Sequence, residues 1–212
     1  MAIDTLTPLE QRIELSGISW ETYERLLAEL RDRRLRLTYY RGNLEIMAPS
    51  PEHEFYKKII GRFVETLAEE LKVKIYPLGS TTFKRPELSG VEPDECFYIH
   101  NRRSVQGKKR LDLNTDPPPD LVIEIDITSS SENRLAVYAD LEVLEVWRYD
   151  GKFLKIYQLQ NRQYIQVHES LAFPEVAITE IAQFLQQAMD ANIDYLDLIR
   201  SFRQWIESQV QE

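Results

Sequence analysis

The sequence of 212 residues predicts an α/β (α+β) fold, in which a mixed sheet is flanked by helices. Three observations support this fold class. Apolar residues recur every three or four positions in some segments, they alternate with polar residues in others, and the two kinds of segment follow one another along the chain. No repeat, low-complexity tract or long linker separates them, so we expect a single domain over residues 1–212 that ends in helices at about 178–210.

The N-terminal third is predicted to contain a helix, a hairpin and a second, longer helix. Ser19 can cap a helix over residues 19–33, and apolar alternation on both sides of an Arg-Gly-Asn turn predicts a hairpin over residues 35–49. Ser50 can cap the longer helix over residues 50–72, whose acidic first turn suits the positive end of the helix dipole. Its apolar stripe repeats every four residues, at Phe55, Ile59, Phe63 and Leu67.

The rest of the chain is predicted to supply most of the strands. Glycine and proline punctuate strand-like segments at about 73–79, 80–86 and 90–99. A strand over residues 120–127 leads into a short helix, another strand, a hairpin and two C-terminal helices, at about 131–143, 144–150, 152–170, 178–189 and 192–210. We expect three aromatic residues of this region to pack in the sheet: Trp147, Tyr149 and Tyr157.

The composition is that of a globular protein, with 43% hydrophobic and 29% charged residues. No apolar run approaches the ~20 residues that a membrane helix needs, and the first residues have neither the basic nor the apolar region of a signal peptide. The single cysteine, Cys96, excludes an internal disulfide and a cysteine zinc site, and it is compatible with a reducing compartment. We therefore expect a cytoplasmic protein.

The charge of the chain limits the ways in which it can bind nucleic acid. A net charge of −9 argues against a protein that coats nucleic acid nonspecifically, but it leaves a local basic groove open. The densest cationic segment is residues 101–110, which is either a solvated hairpin loop or a contact for a DNA backbone. Its basic residues are Arg102, Arg103, Lys108, Lys109 and Arg110.

Two carboxylates stand on one side of the predicted strand 120–127. Apolar residues take every second position from Leu121 to Ile127, while Glu124 and Asp126 have the opposite parity. Neighbouring carboxylates repel each other and resist burial, so they need a compensating charge. Asp94 stands in the preceding strand-like segment, and it converges with Glu124 if the two strands are neighbours in one sheet.

Two interpretations of these carboxylates are open. Converging oxygen ligands select Mg²⁺ or Mn²⁺, and such an ion can polarise a phosphodiester and activate a water molecule. Alternatively, arginine or lysine residues on neighbouring elements compensate Glu124 and Asp126 in structural ion pairs. The provisional interpretation is that a shared ion, rather than an arginine, balances them.

Motifs along almost the whole chain carry a family resemblance. They are "GISWETYERLLAEL", "YYRGNLEIMAPSPEHE", "STTFKRPE", "PD" at 93–94, "DLVIEID", "SSSENRLAVYADLEVLEVWRYD" and "LAFPEVAITEIAQFLQQA". In this order they resemble the putative restriction endonuclease family of the PD-(D/E)XK nuclease superfamily. The resemblance implies a restriction-endonuclease-like mixed sheet with flanking helices, Mg²⁺ (or Mn²⁺) as cofactor and DNA as substrate.

The resemblance also implies roles for individual residues. Asp94 and Glu124 match the two acidic metal ligands, and Asp126 stands where the superfamily pattern has lysine. In this family that lysine lies on the following helix, four residues before a tyrosine, and Arg134 stands at this position before Tyr138. Arginine stays protonated, so it can stabilise charge on a phosphate but cannot act as the base. Lys84 is either a substitute cation or a surface residue.

His53 and the C-terminal helices are further candidates. His53, in the first turn of the long helix, either packs on Tyr56 or lies at the active-site edge, where it holds a metal-bound water or contacts the scissile phosphate. Phe202 and Trp205 either cover the domain or pack on another subunit. Because related nucleases cut two strands and the C-terminal helices have apolar faces, we expect a homodimer.

Three function classes follow from these residues. The first is a Mg²⁺-dependent DNA endonuclease with Asp94, Glu124, Asp126, Arg134 and His53 at its centre. The second is a catalytically weak or inactive nuclease-fold protein that binds DNA or a protein partner. The third is a protein unrelated to nucleic acid, in which the carboxylates are structural.

Overall fold

The computed structural model describes residues 10–127 and 132–210, and the predicted start of a helix at Ser131 lies outside them. The helices are α1 (Trp20–Leu30), α2 (Pro51–Glu70), α3 (Arg102–Val105), α4 (Glu132–Asp140), a 3-10 turn (Ile178–Glu180), α5 (Ile181–Gln187) and α6 (Tyr195–Val210). The strands are β1 (Gln11–Ser16), β2 (Arg36–Tyr40), β3 (Asn43–Ala48), β4 (Tyr76–Pro77), β5 (Phe83–Arg85), β6 (Ser89–Val91), β7 (Glu95–Tyr98), β8 (Leu121–Ile125), β9 (Glu145–Tyr149), β10 (Leu154–Gln160) and β11 (Gln163–Val167).

The strands form two sheets, and together with the helices they give the mixed α+β fold that the sequence predicts. The N-terminal sheet has the strand order β1-β3-β2-β6-β5, and the central sheet has the order β11-β10-β9-β8-β7-β4. Strands β8 and β9 are parallel and are joined through α4, whereas β7 pairs with β8 in the antiparallel direction. This topology places α4 next to the strand that carries Glu124.

The N-terminal sheet packs one face against α1. Tyr23 on α1 is buried against Leu37, Tyr39 and Leu44 of the sheet. A Cβ atom at Gly90 on β6 would lie 2.3 Å from the Tyr23 hydroxyl oxygen, so this position has room for glycine alone. The alternate residues of these strands point to the other face of the sheet, where most side chains are polar.

The central sheet is covered on one face by α2, α5 and α6. Leu121, Ile123 and Ile125 of β8 share a buried core with the apolar stripe of α2. Phe202 on α6 packs on Phe63 of α2, with ring centroids 4.2 Å apart. The apolar face of α6 is therefore covered by other parts of the same chain. The homodimer was expected partly because this face would need a second subunit to cover it, and that reason is wrong.

Local signals in the sequence place several elements correctly. Ser50 caps α2 by accepting the backbone N–H of His53 at 3.1 Å, and Ser19 does the same for α1. The hairpin turn at Arg41 and Gly42 has positive φ at both residues, as a tight turn between two strands requires. Trp147 and Tyr149 are buried in the sheet, and Tyr157 is partly buried, as expected.

Other elements differ from the prediction. Strand β1 was not expected, because most of its residues are exposed and its two apolar side chains do not mark a buried face. The segment 90–99 divides between two sheets: β6 belongs to the N-terminal sheet and β7 to the central sheet. The basic segment contains the short helix α3 instead of a hairpin loop. Within the described residues, no helix is both long and apolar enough to cross a membrane.

Candidate active site

Glu124 is buried on the face of β8 that looks towards α4. Its neighbours on either side, Ile123 and Ile125, point into the core against α2. Because successive side chains of a strand point to opposite faces of the sheet, Glu124 points away from that core. Its carboxylate is 1% exposed. Two residues one turn apart on α4, Arg134 and Tyr138, each donate a hydrogen bond to one of its oxygens. Both carboxylate oxygens therefore have partners from α4.

Arg134 joins the two sheets. Its guanidinium group, 2% exposed, pairs with Glu124 of the central sheet and with Glu45 of the N-terminal sheet. Its Nη2 atom donates a hydrogen bond of 2.7 Å to Oε1 of Glu45. The other oxygen of Glu45, Oε2, accepts a hydrogen bond of 2.9 Å from Arg12. A buried arginine between two carboxylates is held by charge-assisted hydrogen bonds on both sides.

Asp94 meets Glu124 as the order of the strands predicts. Glu95 pairs with Ile123 in the antiparallel register of β7 and β8, so Asp94 stands opposite Glu124. The Oδ2 atom of Asp94 accepts the backbone N–H of Ile125 at 2.8 Å and lies 3.1 Å from Nε2 of His53. We call Asp94, Glu124, Glu45, His53 and Arg134 the buried charged cluster.

The cluster changes the protonation equilibria of its members. Burial raises the pKa of Glu124 to about 7, and the nearby Asp94 adds to this effect while Arg134 opposes it. Burial also disfavours the charged form of Asp94, but His53 and Arg134 outweigh it and hold the pKa of Asp94 below its usual value. For His53, the contact with Asp94 outweighs burial and raises the pKa.

Asp126 is paired separately from the cluster. It follows the end of β8, and its Oδ2 atom accepts a hydrogen bond from Nε of Arg148 at 2.7 Å and forms an ion pair with Nη2 at 2.6 Å. Arg148 stands on β9 directly beside Glu124 in the parallel register. The interpretation that a shared ion, rather than an arginine, balances the strand carboxylates is therefore wrong for this arrangement, because an arginine lies against each of them.

The arrangement of the cluster does not fit a divalent cation. Arg134 and Tyr138 hold both oxygens of Glu124. Among the acidic groups of the cluster, Oδ1 of Asp94 is the one buried oxygen that has no hydrogen-bond partner in the described part of the chain. Within the described ranges, no three His, Cys, Asp or Glu side chains are grouped as metal ligands. A guanidinium group repels a dication, so Glu124 can become a metal ligand only when Arg134 leaves it.

The predicted basic segment does not join the cluster. Its residues follow the C-terminal end of β7 and precede β8, whereas Asp94 precedes β7 and Glu124 lies near the end of β8. The segment and the cluster are therefore at opposite ends of the same two strands. Lys84 also lies elsewhere, where its amino group contacts Glu24 at 2.7 Å.

The sequence reasoning missed the polar face of the N-terminal sheet. Pairing of β1, β3 and β2 aligns rows of residues across the three strands, one of which is Glu14, Glu45 and Thr38. Arg36, at the far end of this face, lies 3.9 Å from Asp94. The alternation that predicted the hairpin also contains the part of this face on β2 and β3, namely Arg36, Thr38, Tyr40, Asn43, Glu45 and Met47, and the unexpected strand β1 adds Arg12, Glu14 and Ser16.

The chain is an α+β protein with two sheets and a group of buried acidic residues. A family model described as putative restriction endonuclease (Uma2) matches residues 20–190, and the chain belongs to this family. Among solved structures, the chain is similar to a putative nuclease belonging to DUF820 from Anabaena variabilis, with 13% identity and a TM-score of 0.49. That match covers 89% of this chain and 99% of the other. No curated protein matches the sequence.

Proposed function

We propose that the protein is a DNA endonuclease that hydrolyses phosphodiester bonds at the buried charged cluster. One observation carries the proposal: Asp94, Glu124, His53 and Arg134 come from separate parts of the chain and meet in one buried place. Membership of the restriction endonuclease family supports DNA as the substrate. We further propose that residues 1–212 form one domain, that the basic segment touches the DNA backbone and that the protein is cytoplasmic.

The side chains of the cluster suit charge stabilisation around a phosphate. Arg134 is permanently charged, and its forked donors match the oxygens of a phosphate group. His53 stands beside Asp94, where it can contact the scissile phosphate or hold the attacking water. Glu45 and Glu124 hold Arg134 from opposite sides, so its orientation is fixed before a substrate binds.

The geometry of the cluster bears on whether the proposed endonuclease uses a metal ion. The family resemblance implies Mg²⁺ (or Mn²⁺), with Asp94 and Glu124 as ligands, and such an ion would supply an activated water and polarise the phosphate. As arranged, the cluster does not fit the ion, because Arg134 holds Glu124. We therefore derive no step through a metal, and we expect that binding of Mn²⁺ requires Arg134 to move.

A plasmid nicking assay tests the endonuclease function. We expect the wild-type protein to nick supercoiled plasmid in Mg²⁺ or Mn²⁺ and EDTA to stop it. Asp94→Asn should abolish nicking, since it removes the buried charge opposite Glu124. Asp197→Asn, on the exposed side of α6, is the matched control and should nick like wild type. Equal nicking by Asp94→Asn and wild type would remove the cluster from the proposal.

The presence of arginine at position 134, buried against Glu124, favours a second candidate function. Arginine replaces the family's lysine there, and it is buried against Glu124. This is the arrangement expected of a catalytically weak or inactive nuclease-fold protein that acts as a DNA-binding or partner-binding module. The nicking assay separates the two candidates when Arg134→Lys is included. Nicking by the lysine variant alone favours the second candidate, and EDTA-sensitive nicking by wild type removes it.

A further inference from the structure

A cavity of about 390 Å³ opens beside the buried charged cluster, between the polar face of the N-terminal sheet and α4. Its walls include Ser16, Thr38 and Tyr40 from the sheet and Val137 from α4. Arg134 belongs both to the wall of this cavity and to the ion pair with Glu124. We call this cavity the Tyr40 cavity. A ligand bound in it would lie next to the proposed reaction centre.

Two of the side chains that line the Tyr40 cavity are glutamates, whose carboxylates accept hydrogen bonds and do not donate them. Glu14 and Glu45 stand opposite each other on β1 and β3, and both line the cavity. Burial disfavours the charged form of Glu45, but Arg134 and Arg12 outweigh it and hold its pKa below the usual value, so it remains a carboxylate. Two carboxyl groups repel a phosphate, and they favour a ligand that carries N–H donors.

Thr38 gives an independent sign that the cavity takes a polar ligand. Its side chain is 6% exposed, and its hydroxyl oxygen has no hydrogen-bond partner within the described residues. Buried hydroxyl groups are almost always hydrogen-bonded, because leaving one unpaired is costly. Thr38 is one of the residues that line the cavity, so a ligand that enters there can reach this hydroxyl group after a small shift of the side chain.

Tyr40 adds an aromatic surface to the same cavity. The Arg41 guanidinium carbon lies 5.2 Å from the centroid of the Tyr40 ring, and Arg41 is itself paired with Asp140 at the end of α4. Tyr40 also packs against a buried apolar cluster that includes Val122 and Val137, and this packing positions the ring at the cavity wall. A fixed aromatic ring is a platform on which a flat heterocycle stacks.

We infer that the Tyr40 cavity binds one unpaired nucleobase of a DNA strand, an inference that rests on DNA being the substrate as proposed above. A nucleobase is flat and uncharged, and the exocyclic amino groups of adenine, guanine and cytosine donate to acceptors such as Glu45 and Thr38. A base inside a duplex cannot enter a cavity without leaving the stack. The cavity therefore selects strands with unpaired or easily extruded bases and holds them beside Arg134.

Fluorescence anisotropy with labelled DNA in EDTA tests this binding without requiring cleavage. We expect a single-stranded oligonucleotide with all four bases to bind at least roughly tenfold more tightly than an abasic strand of equal length, since stacking and base contacts are lost in the latter. Tyr40→Leu should weaken binding of the normal strand by roughly tenfold, and Tyr40→Phe should keep it. Tyr195→Leu, an exposed tyrosine on α6, is the control.

Thr38→Val distinguishes a ligand-binding hydroxyl from a structural one. The valine side chain has a similar shape and no hydroxyl, so it should leave the melting temperature equal or higher while it weakens binding of the normal strand several-fold. The same variant decides the question if Tyr40→Leu fails to fold. Unchanged DNA binding by Thr38→Val together with a lower melting temperature would give Thr38 a structural role and overturn the inference.

The outcomes separate this inference from the proposed endonuclease function. Equal binding of normal and abasic strands, or no binding of either, overturns the inference whatever the nicking assay gives. Base-dependent binding that Tyr40→Leu weakens supports it, even if the plasmid is not nicked and the endonuclease proposal fails. Plasmid nicking without base-dependent binding leaves the endonuclease and removes the nucleobase site.

Discussion

Glu124 and Asp126 stand on the same side of one strand segment, and each is paired with an arginine, yet the two pairs are built differently. Arg134 comes from α4 across a crossover connection, is 2% exposed and holds a second carboxylate, Glu45, in the other sheet. Arg148 comes from the adjacent parallel strand, is 11% exposed and lies over the Tyr157 ring, 5.6 Å from its centroid.

The difference favours the Arg134 pair over the Arg148 pair for the proposed chemistry. Arg148 and Asp126 link the ends of two neighbouring strands, a role that needs no substrate. Arg134 has two carboxylate partners and also lines the Tyr40 cavity, so an incoming strand can compete for it. Asp126 was expected to assist the reaction as a ligand or acceptor, and its partner on β9 favours a structural role instead.

The largest expected effect is on stability and compares the two arginines. Arg134→Met leaves the buried Glu124 without its counter-charge and takes one of two arginines from the partly buried Glu45, so we expect a loss of about 3–5 kcal/mol in the free energy of unfolding. Arg148→Met removes a partly exposed guanidinium group from a single carboxylate, Asp126, and about 1–2 kcal/mol is expected. Urea denaturation of both variants at one pH measures the two losses. Equal losses would mean that the two pairs are equivalent structural links.

The next effect concerns activity and compares the two carboxylates. Glu124→Gln should lower the nicking rate by about 100-fold or more, because it removes the carboxyl group that orients Arg134 at the proposed reaction centre. Asp126→Asn should change the rate by less than about tenfold, since its pair with Arg148 lies outside the cluster. Initial rates on supercoiled plasmid at saturating Mg²⁺ give both values. A loss for Asp126→Asn as large as that for Glu124→Gln would return Asp126 to the catalytic residues.

The two pairs also show how far the sequence determines the site. The strand pattern correctly places Glu124 on the face of β8 opposite the α2 core, and the order of strands brings Asp94 opposite to it. It does not determine which positive group compensates a buried carboxylate, because a metal ion, lysine or arginine satisfies the same electrostatic requirement. That choice depends on side chains brought from α4 and β9.

The contact between Arg134 and Glu45 could not be predicted, because it joins residues 89 positions apart in different sheets. Strand β1, which brings Arg12 to the same carboxylate, has no local signal either, since Ile13 and Leu15 are exposed. By contrast, α1 and α2 are determined locally by Ser19, Ser50 and their apolar stripes. Local chemistry thus predicted the elements, and the partner across the two sheets was available only from the structure.

The smallest expected effect tests whether Glu45 really shares Arg134. Because Arg134 and Arg12 outweigh burial and hold the pKa of Glu45 below its unfolded value, its stabilising contribution is present above the unfolded pKa of about 4.3 and is lost as the pH falls through the folded pKa. The free-energy difference between wild type and Glu45→Gln should therefore be largest near pH 7 and shrink below about pH 4.3.

Urea denaturation of wild type and Glu45→Gln between pH 3 and 7 measures this difference directly, and other titrating groups largely cancel because both proteins contain them. Glu14→Gln, which removes the exposed carboxyl opposite Glu45, controls for the change in net charge. A difference between wild type and Glu45→Gln that stays constant with pH would mean that Glu45 is not held as a carboxylate by the arginines. Arg134 would then belong to Glu124 alone, and its pair would resemble that of Arg148 and Asp126 more closely.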